Sequence, residues 1–333
     1  MKRVFFLLAI GVVLISCEET NKSSINFNEQ IVDGYFVKSI AFDKQGNAWI
    51  GTFKQGLIKY NAHETIVYNS ENSIISDASV IYDIAVDSKN NVWIACDGLI
   101  KYDGTEFTYF NSTNSPIPED FIRSIAIDSK DNIWFSSSRA RQGGVVKYDG
   151  AEWNVYTPEN SELPVNSVQS VTIDKDDNVW LALGEIVNNS YLVKISGDKW
   201  TTYTSDDLGF IPYYLGNIQI DSKKRLYGTI DYYLSSVISG GRPHIFMFDG
   251  NKTEQIKNDS ILNVNFITID NQDNIWCATT FNGYAIYNEQ KWTIDNLTFK
   301  DVGIFAIEQA PDNRIWIGTN NGIRISDRKI SNN

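Results

Sequence analysis

Apolar and polar residues alternate along most of this chain in short runs, and the runs repeat. In the first copy an apolar strand, Ser39-Ile40-Ala41-Phe42, closes on Asp43, passes through a polar turn and resumes as Ala48-Trp49-Ile50-Gly51. A third strand follows and ends in an aromatic, as in Gly98-Leu99-Ile100-Lys101-Tyr102. A fourth carries further aromatics, among them Trp153, Tyr156, Trp200, Tyr203 and Trp292. Anchored on the second strand's aromatic, the copies fall at Trp49, Trp93, Trp134, Trp180, Tyr227, Trp276 and Trp316. A period of roughly 40 to 50 residues with about four short strands per unit is that of a propeller blade. The pattern therefore predicts an all-β fold, a seven-bladed β-propeller of four-stranded antiparallel blades.

The turns agree with this reading. Six residues before the anchor stand Asp43, Asp87, Asp128, Asp174, Asp221 and Asp270, whose side chains can cap the turn's own backbone. Three residues before it stand Gly46, Asn90, Asp131, Asp177, Lys224, Asp273 and Asn313. All but Lys224 enter the left-handed region cheaply, as a short hairpin requires. Two residues after it come only small side chains, Gly51, Ala95, Ser136, Ala182, Thr229, Ala278 and Gly318, suited to strands crowded near an axis. The fifth unit lacks both the Trp and the turn residue and is expected to be the weakest blade. Ile25 to Glu29 resembles a fourth strand, and the last unit supplies only three. The N-terminal strand is thus expected to complete the last blade and remove the exposed sheet edge.

Before the repeats, Lys2 and Arg3 precede an apolar run from Val4 to Ile15, too short to span a bilayer as a helix but suited to a signal peptide. The run ends in Leu14-Ile15-Ser16-Cys17, which resembles a bacterial lipobox. That resemblance implies cleavage before Cys17 and lipidation of its sulfur, an anchor strong enough to hold a protein at a membrane. The expected organisation is a lipoprotein signal peptide over 1–16, a lipid-anchored linker over 17–24 and the propeller over 25–333. Glu18 and Glu19 resemble the surface-export signal of Bacteroidetes lipoproteins.

Charge then narrows the partners. The 333-residue chain holds 29 basic and 41 acidic residues, a formal net charge of -12, which argues against nucleic acid and against anionic lipid headgroups. Cys96 and Cys277 sit in second strands of non-adjacent blades, out of disulfide reach, and read as small buried residues. Lys59, Lys101, Lys147 and Lys194 share one position, read as a solvated strand face. The fourth-strand aromatics read as packing between blades, with a sugar-stacking platform as the functional alternative.

Units such as Ser39 to Tyr60 and Ser124 to Tyr148, with connectors such as NSTNSPIPED and PENSELPVNS, resemble two-component regulator propeller repeats. In that family the repeats commonly form the extracytoplasmic sensing part of hybrid histidine kinases that respond to glycans. This chain departs from that layout, with no internal transmembrane helix, kinase or receiver segment, so the resemblance implies ligand or partner binding rather than signalling.

An enzyme reading draws on propeller lyases, which are expected to use His residues and a metal on one face. The two His residues, His63 and His244, stand at opposite ends of a third strand and so on opposite faces. Acidic runs such as Asp174 to Asp177 and Asp270 to Asp273 are similar to calcium loops, but the same positions form hairpins in every unit. No catalytic residue, metal or cofactor is expected. The expected function is a non-catalytic binding propeller of the bacterial cell envelope, an outer-membrane lipoprotein facing the periplasm or the surface, whose partner is a glycan or an envelope protein. A structural subunit of an envelope complex and a propeller lyase are the alternatives. Binding is expected on the face formed by connections between second and third strands and between blades, where the units differ most. Its candidates are Arg139, Arg141, Tyr232, Tyr233 and Arg242 in the longer insertions, with Tyr213 and Tyr214 in a connector. Arg in bidentate pairs suits an acidic saccharide or an acidic protein segment.

Overall fold

The computed structural model describes residues 25–139, 142–185, 189–210, 215–230, 243–258, 261, 264–279, 282–289, 291–300 and 302–329. These form seven four-stranded antiparallel sheets. In blade 1 the strands Val37–Phe42, Ala48–Thr52, Leu57–Tyr60 and Thr65–Tyr68 follow one another as a meander. The first strands of blades 2 to 7 are Asp83–Val86, Ile125–Ile127, Val168–Ile173, Leu215–Ile220, Val264–Ile269 and Ile304–Gln309. Each contacts the next, and Ile304–Gln309 contacts Val37–Phe42, so the inner strands close a ring. Among the described residues no helix is long and apolar enough to cross a membrane.

The core is distributed over the interfaces between blades. One cluster joins Trp49 and Leu57 of blade 1 to Ile84, Val92 and Ile94 of blade 2, and the other interfaces repeat the arrangement. Crowding at these interfaces explains the small residues two places after each anchor. A Cβ on Gly51 would lie 2.2 Å from Ser39 Oγ and 2.5 Å from Ile81 Cγ2 of the next blade. Cys96 and Cys277 are free and buried, as their positions imply.

The turn aspartates do more than cap. Asp43 Oδ1 accepts the backbone N–H of Gln45 and Asn47, while Oδ2 accepts Asn47 Nδ2 and the anchor's Trp49 Nε1 at 3.0 Å. The same indole bond recurs from Trp93, Trp134, Trp180 and Trp276 to Asp87, Asp128, Asp174 and Asp270, at 2.8 to 3.2 Å. Lys59, Lys101, Lys147 and Lys194 lie over the anchor indoles at 5.0 to 5.6 Å, so their shared position is a cation–π contact rather than a merely solvated face.

The fifth unit compensates for its departures. Arg225 Nε pairs with Asp221 Oδ2 at 2.6 Å and its guanidinium covers Tyr227, while Lys224 adopts φ 64° and binds Asp176 of blade 4. The seventh unit does not. Ala310 stands where the aspartate belongs, and Trp316 Nε1 is buried without a hydrogen-bond partner among the described residues.

Polar bonds also link successive inner strands. Ile125 N donates to Asp83 Oδ2, Val171 N to Ser124 Oγ, Ile218 N to Ser170 Oγ and Ile267 N to Asn217 Oδ1. The hairpins are linked likewise, Lys44 N to Asn90, Ser88 to Asp131, Ser129 to Asp177 and Ser222 to Asp273. At the seam between blades 7 and 1 the corresponding residues are Ala306, Pro311 and Gly46, which offer no side-chain hydrogen bond. That seam is bridged by the N-terminal segment. Glu29–Ile31 pairs with Ile323–Ile325 as the fourth strand of blade 7, completing the ring as expected but a few residues later than the sequence pattern placed it. The offset arises because Phe27 turns into the interface of blades 6 and 7 against Tyr284 and Phe299, while Asn26 stays bonded to Asp327.

Candidate binding site at the mouth of the central channel

Connections between second and third strands share one end of the molecule with the connections between blades. Lys54 N donates to Ser79 O, Gly98 N to Asp120 O, Gly184 N to Ser167 O and Asn320 N to Gly303 O, each joining the turn between second and third strands, or the strand end beside it, to a connection between blades. At the centre of this end the inner strands enter the ring, and there the regular pairing breaks. The register slips between Val37 and Ser39, Val168 and Ser170, Leu215 and Ile218, Val264 and Phe266, and Ile304 and Ala306. A bulge re-aims the side chain it displaces. Four of the bulges therefore displace the side chains of Lys38, Gln169, Asn265 and Phe305, the fifth falls at Gly216–Asn217, and Tyr82 and Arg123 hold the equivalent places in blades 2 and 3.

These seven positions ring the opening. Lys38 Nζ lies 4.9 Å from the centre of the Phe305 ring, and Arg123 Nη1 donates to Gln169 Oε1 at 2.7 Å. Burial, then the positive charge of Arg123, holds the Lys38 ammonium below its ordinary pKa. Blades 1 and 3 are not neighbours, so the two cations feel each other only because both face the opening. Aromatic rings line the space between them. Phe36 packs on Phe305 at 4.5 Å and on Phe53 at 5.2 Å, while Tyr82 meets Phe121 at 5.0 Å and Arg123 covers Phe121 at 5.8 Å.

Two carboxyl groups lie deeper. Asp83 is one residue and Glu308 three residues beyond the ring position, so Glu308 is about 10 Å further in at the usual strand rise. Burial pushes Asp83 up to about 6 against the N–H groups of Ile125 and Ile84. Burial and the charge of Asp83 push Glu308 up to about 8. Blades 2 and 7 are separated by blade 1, so this coupling also runs across the channel. The mouth is cationic and aromatic, with acid groups beneath it that are partly protonated near neutral pH.

Of the residues expected to form a site, Arg139 is exposed at the tip of the second strand of blade 3, on this same end. With Arg123 it opposes the upward shift that burial imposes on the Tyr82 phenol, so its charge reaches the rim. Arg141, Tyr213, Tyr214, Tyr232, Tyr233 and Arg242 lie outside the described residues, as does Cys17. His63 is exposed in a hairpin at the opposite end, whereas residue 244 falls at the start of Pro243–Phe248, at the connection end. The fourth-strand aromatics pack as expected, Trp153 on Tyr148 at 4.0 Å and Trp200 on Tyr156 at 5.4 Å. The acid groups of the hairpins are occupied, Asp174 by Asn178 and Trp180 and Asp177 by Ser129.

Three segments, residues 31–54, 116–139 and 298–321, match the sequence model of the two component regulator propeller. Each runs from the end of a fourth strand or the connector after it, through the inner strand and its hairpin, to five residues beyond the anchor tryptophan. Three of the seven blades thus hold a segment that matches the two-component regulator propeller repeat. No curated protein matches the sequence. Among solved structures, the extracellular domain of BT4673 from B. thetaiotaomicron has a TM-score of 0.70 at 20% identity, covering 89% of this chain and 41% of that one. Streptogramin B lyase has a TM-score of 0.68 at 16% identity, covering 91% of this chain and 97% of that one. PorZ, a surface component of the type-IX secretion system of Porphyromonas gingivalis, has a TM-score of 0.59 at 12% identity over 87% and 47%. At these identities the likeness is one of fold, and the chain spans about two fifths of the BT4673 chain.

The seven sequence repeats also hold the signal that marks the mouth. Five residues before the turn aspartate they read Lys38, Tyr82, Arg123, Gln169, Gly216, Asn265 and Phe305, seven different residues in seven copies. Two places later the repeats hold only Ile or Val. A position free to vary within a strand otherwise held constant by packing is where a repeated scaffold presents chemistry of its own.

Proposed function

We propose that this chain is a non-catalytic binding propeller of the bacterial cell envelope, which takes a glycan or a protein partner at the channel mouth. The observation that carries the reading is the ring of unlike side chains, with a poorly solvated Lys38, an exposed Arg123 and five aromatic rings around one opening. Convergent polar groups among apolar walls are the usual make-up of a ligand site. The repeats it carries and the extracellular propeller of BT4673 support a sensing or binding role over catalysis. A structural subunit of an envelope complex is the second reading, favoured by PorZ, a surface component of a secretion system built on the same fold. The test is affinity capture from solubilised envelopes with the wild-type chain and a Lys38→Ala/Arg123→Ala double variant. Recovery of a glycan or protein by the first and its loss with the second supports the reading. Equal recovery by both places the binding elsewhere.

The envelope location rests on Leu14-Ile15-Ser16-Cys17 and its apolar leader. In this reading residues 1–16 are removed and a lipid on Cys17 holds the propeller at the outer membrane. Cys17→Ala is expected to leave the precursor uncut or release the protein from membranes, read by fractionation and by the mass of the mature chain. A variant that is still processed and firmly membrane-bound removes the lipid anchor from the proposal.

A further inference from the structure

Beside the mouth, between blades 1 and 2, lies a cleft of about 240 Å³ lined by Ile74, Ile75, Ile81, Cys96, Ile100 and Tyr109, with Ser79 and Asp97 at its polar margin. Four large apolar side chains are exposed among the described residues. Ile74 (50%) and Tyr109 (37%) line this cleft, and a third, Phe53, adjoins it through its bridge to Val80. Phe53 also belongs to the rim, stacked on Phe36 and through it on Phe305 and Lys38. An apolar track therefore runs from the cationic mouth to the cleft. Along it the chain, acidic as a whole, sets Lys38, Lys54 and Arg123, with Lys54 Nζ over the Phe53 ring at 5.5 Å.

We infer that the ligand of this face is an acidic polypeptide segment, its carboxylate held between Lys38 and Arg123 and one apolar side chain seated in the cleft of Ile74 and Tyr109. The inference rests on the mouth being the binding site and selects between the two classes of partner. The cleft is smaller than the 300 to 1,000 Å³ typical of small-molecule pockets but suits a single branched or aromatic side chain. Ile74, Ile75, Ile81, Cys96 and Ile100 suit a buried apolar side chain, whereas saccharide hydroxyls would find partners only in Ser76, Ser79, Asp97 and Tyr109, and any left without one would be costly to bury. Lys38 is the favoured carboxylate partner because it is already poorly solvated and forms no ion pair among the described residues. Asp83 beneath the rim, the more readily ionised of the two acids, repels an incoming carboxylate, which keeps it at the mouth. The path over Phe305, Phe36, Phe53 and Val80 is roughly 15 Å, about four to five residues of extended chain.

The purified protein is panned against a random twelve-residue peptide library, and the enriched peptides are titrated against wild type, Arg123→Glu and Ile74→Asp. Both positions are exposed, so folding is preserved and is checked by melting temperature. The expected peptides carry Asp or Glu about four to five positions from a large apolar residue, and each substitution weakens their binding at least tenfold. Peptides that are indifferent to Ile74→Asp overturn the inference and leave the mouth as a binding site. So does failure of any peptide to enrich while neutral or uronic-acid oligosaccharides bind in an Arg123-dependent way. If neither peptides nor saccharides respond to Arg123→Glu, the reading of the mouth falls with it.

Discussion

Trp134→Ala is expected to cost about 3–5 kcal/mol of stability, the range for truncating a buried aromatic. The indole is 6% exposed, stacks on Tyr156 and donates to Asp128 Oδ2. The finer expectation compares Trp134→Phe with Trp316→Phe. Both keep an aromatic ring, but the first deprives a carboxylate of a donor, whereas the second removes a buried N–H with no hydrogen-bond partner among the described residues. Trp134→Phe should therefore be the costlier by about 1.5–3 kcal/mol, the scale of a hydrogen bond to a charged group. Urea unfolding of the two variants beside wild type decides it. Equal costs would mean that the aspartate–indole bond adds nothing to packing.

Raising the pH should destabilise the wild-type protein through Glu308, and Glu308→Gln should remove much of that loss. The carboxyl titrates at about 8 in the folded chain against an ordinary 4.5, so between those values the folded state holds a proton that the unfolded state has released. Stability linked to this group is complete below about pH 4.5 and falls as pH climbs toward 8. The full shift corresponds to about 5 kcal/mol; with water in the channel and relaxation of the pair with Asp83, about 2–4 kcal/mol is expected at pH 9. Melting curves from pH 5 to 9 should diverge with the variant the more stable at the upper end. Curves that stay parallel would place Glu308 in solvent.

The turn grammar made the fold legible in the sequence. An aspartate, a left-handed turn residue, a tryptophan and a small residue at fixed offsets define one supersecondary unit, and seven copies define the ring. The aspartate–indole bond explains why the offsets are so regular, since a one-residue change in the hairpin would part Asp43 from Trp49. The binding mouth was less legible. Attention to insertions led to Arg139, which does lie on the correct end, but Lys38 and Arg123 sit inside strands whose alternation looks ordinary. Nothing local reveals that a bulge turns position 38 toward the axis, nor that blades 1 and 3 face one another across it. The seventh unit departs from the pattern in another way. Its Trp316 looks intact beside Tyr227, yet the partner it needs is six residues upstream and missing.

The pairing of Glu29–Ile31 with Ile323–Ile325 bears on how the molecule comes into being. Six blades are built from neighbouring stretches of chain and can assemble as they emerge from synthesis or translocation. The seventh joins segments separated by nearly the whole sequence, and its seam with blade 1 lacks the polar links found at most other junctions. Closing so long a loop is entropically costly and slow. Blade 1 must therefore wait with its outer flank uncovered until the last strands arrive, so the ring locks in a single late step. Until then Val37, Ile40 and Ile58, buried in the finished protein, remain open to solvent and to any chaperone that meets the chain.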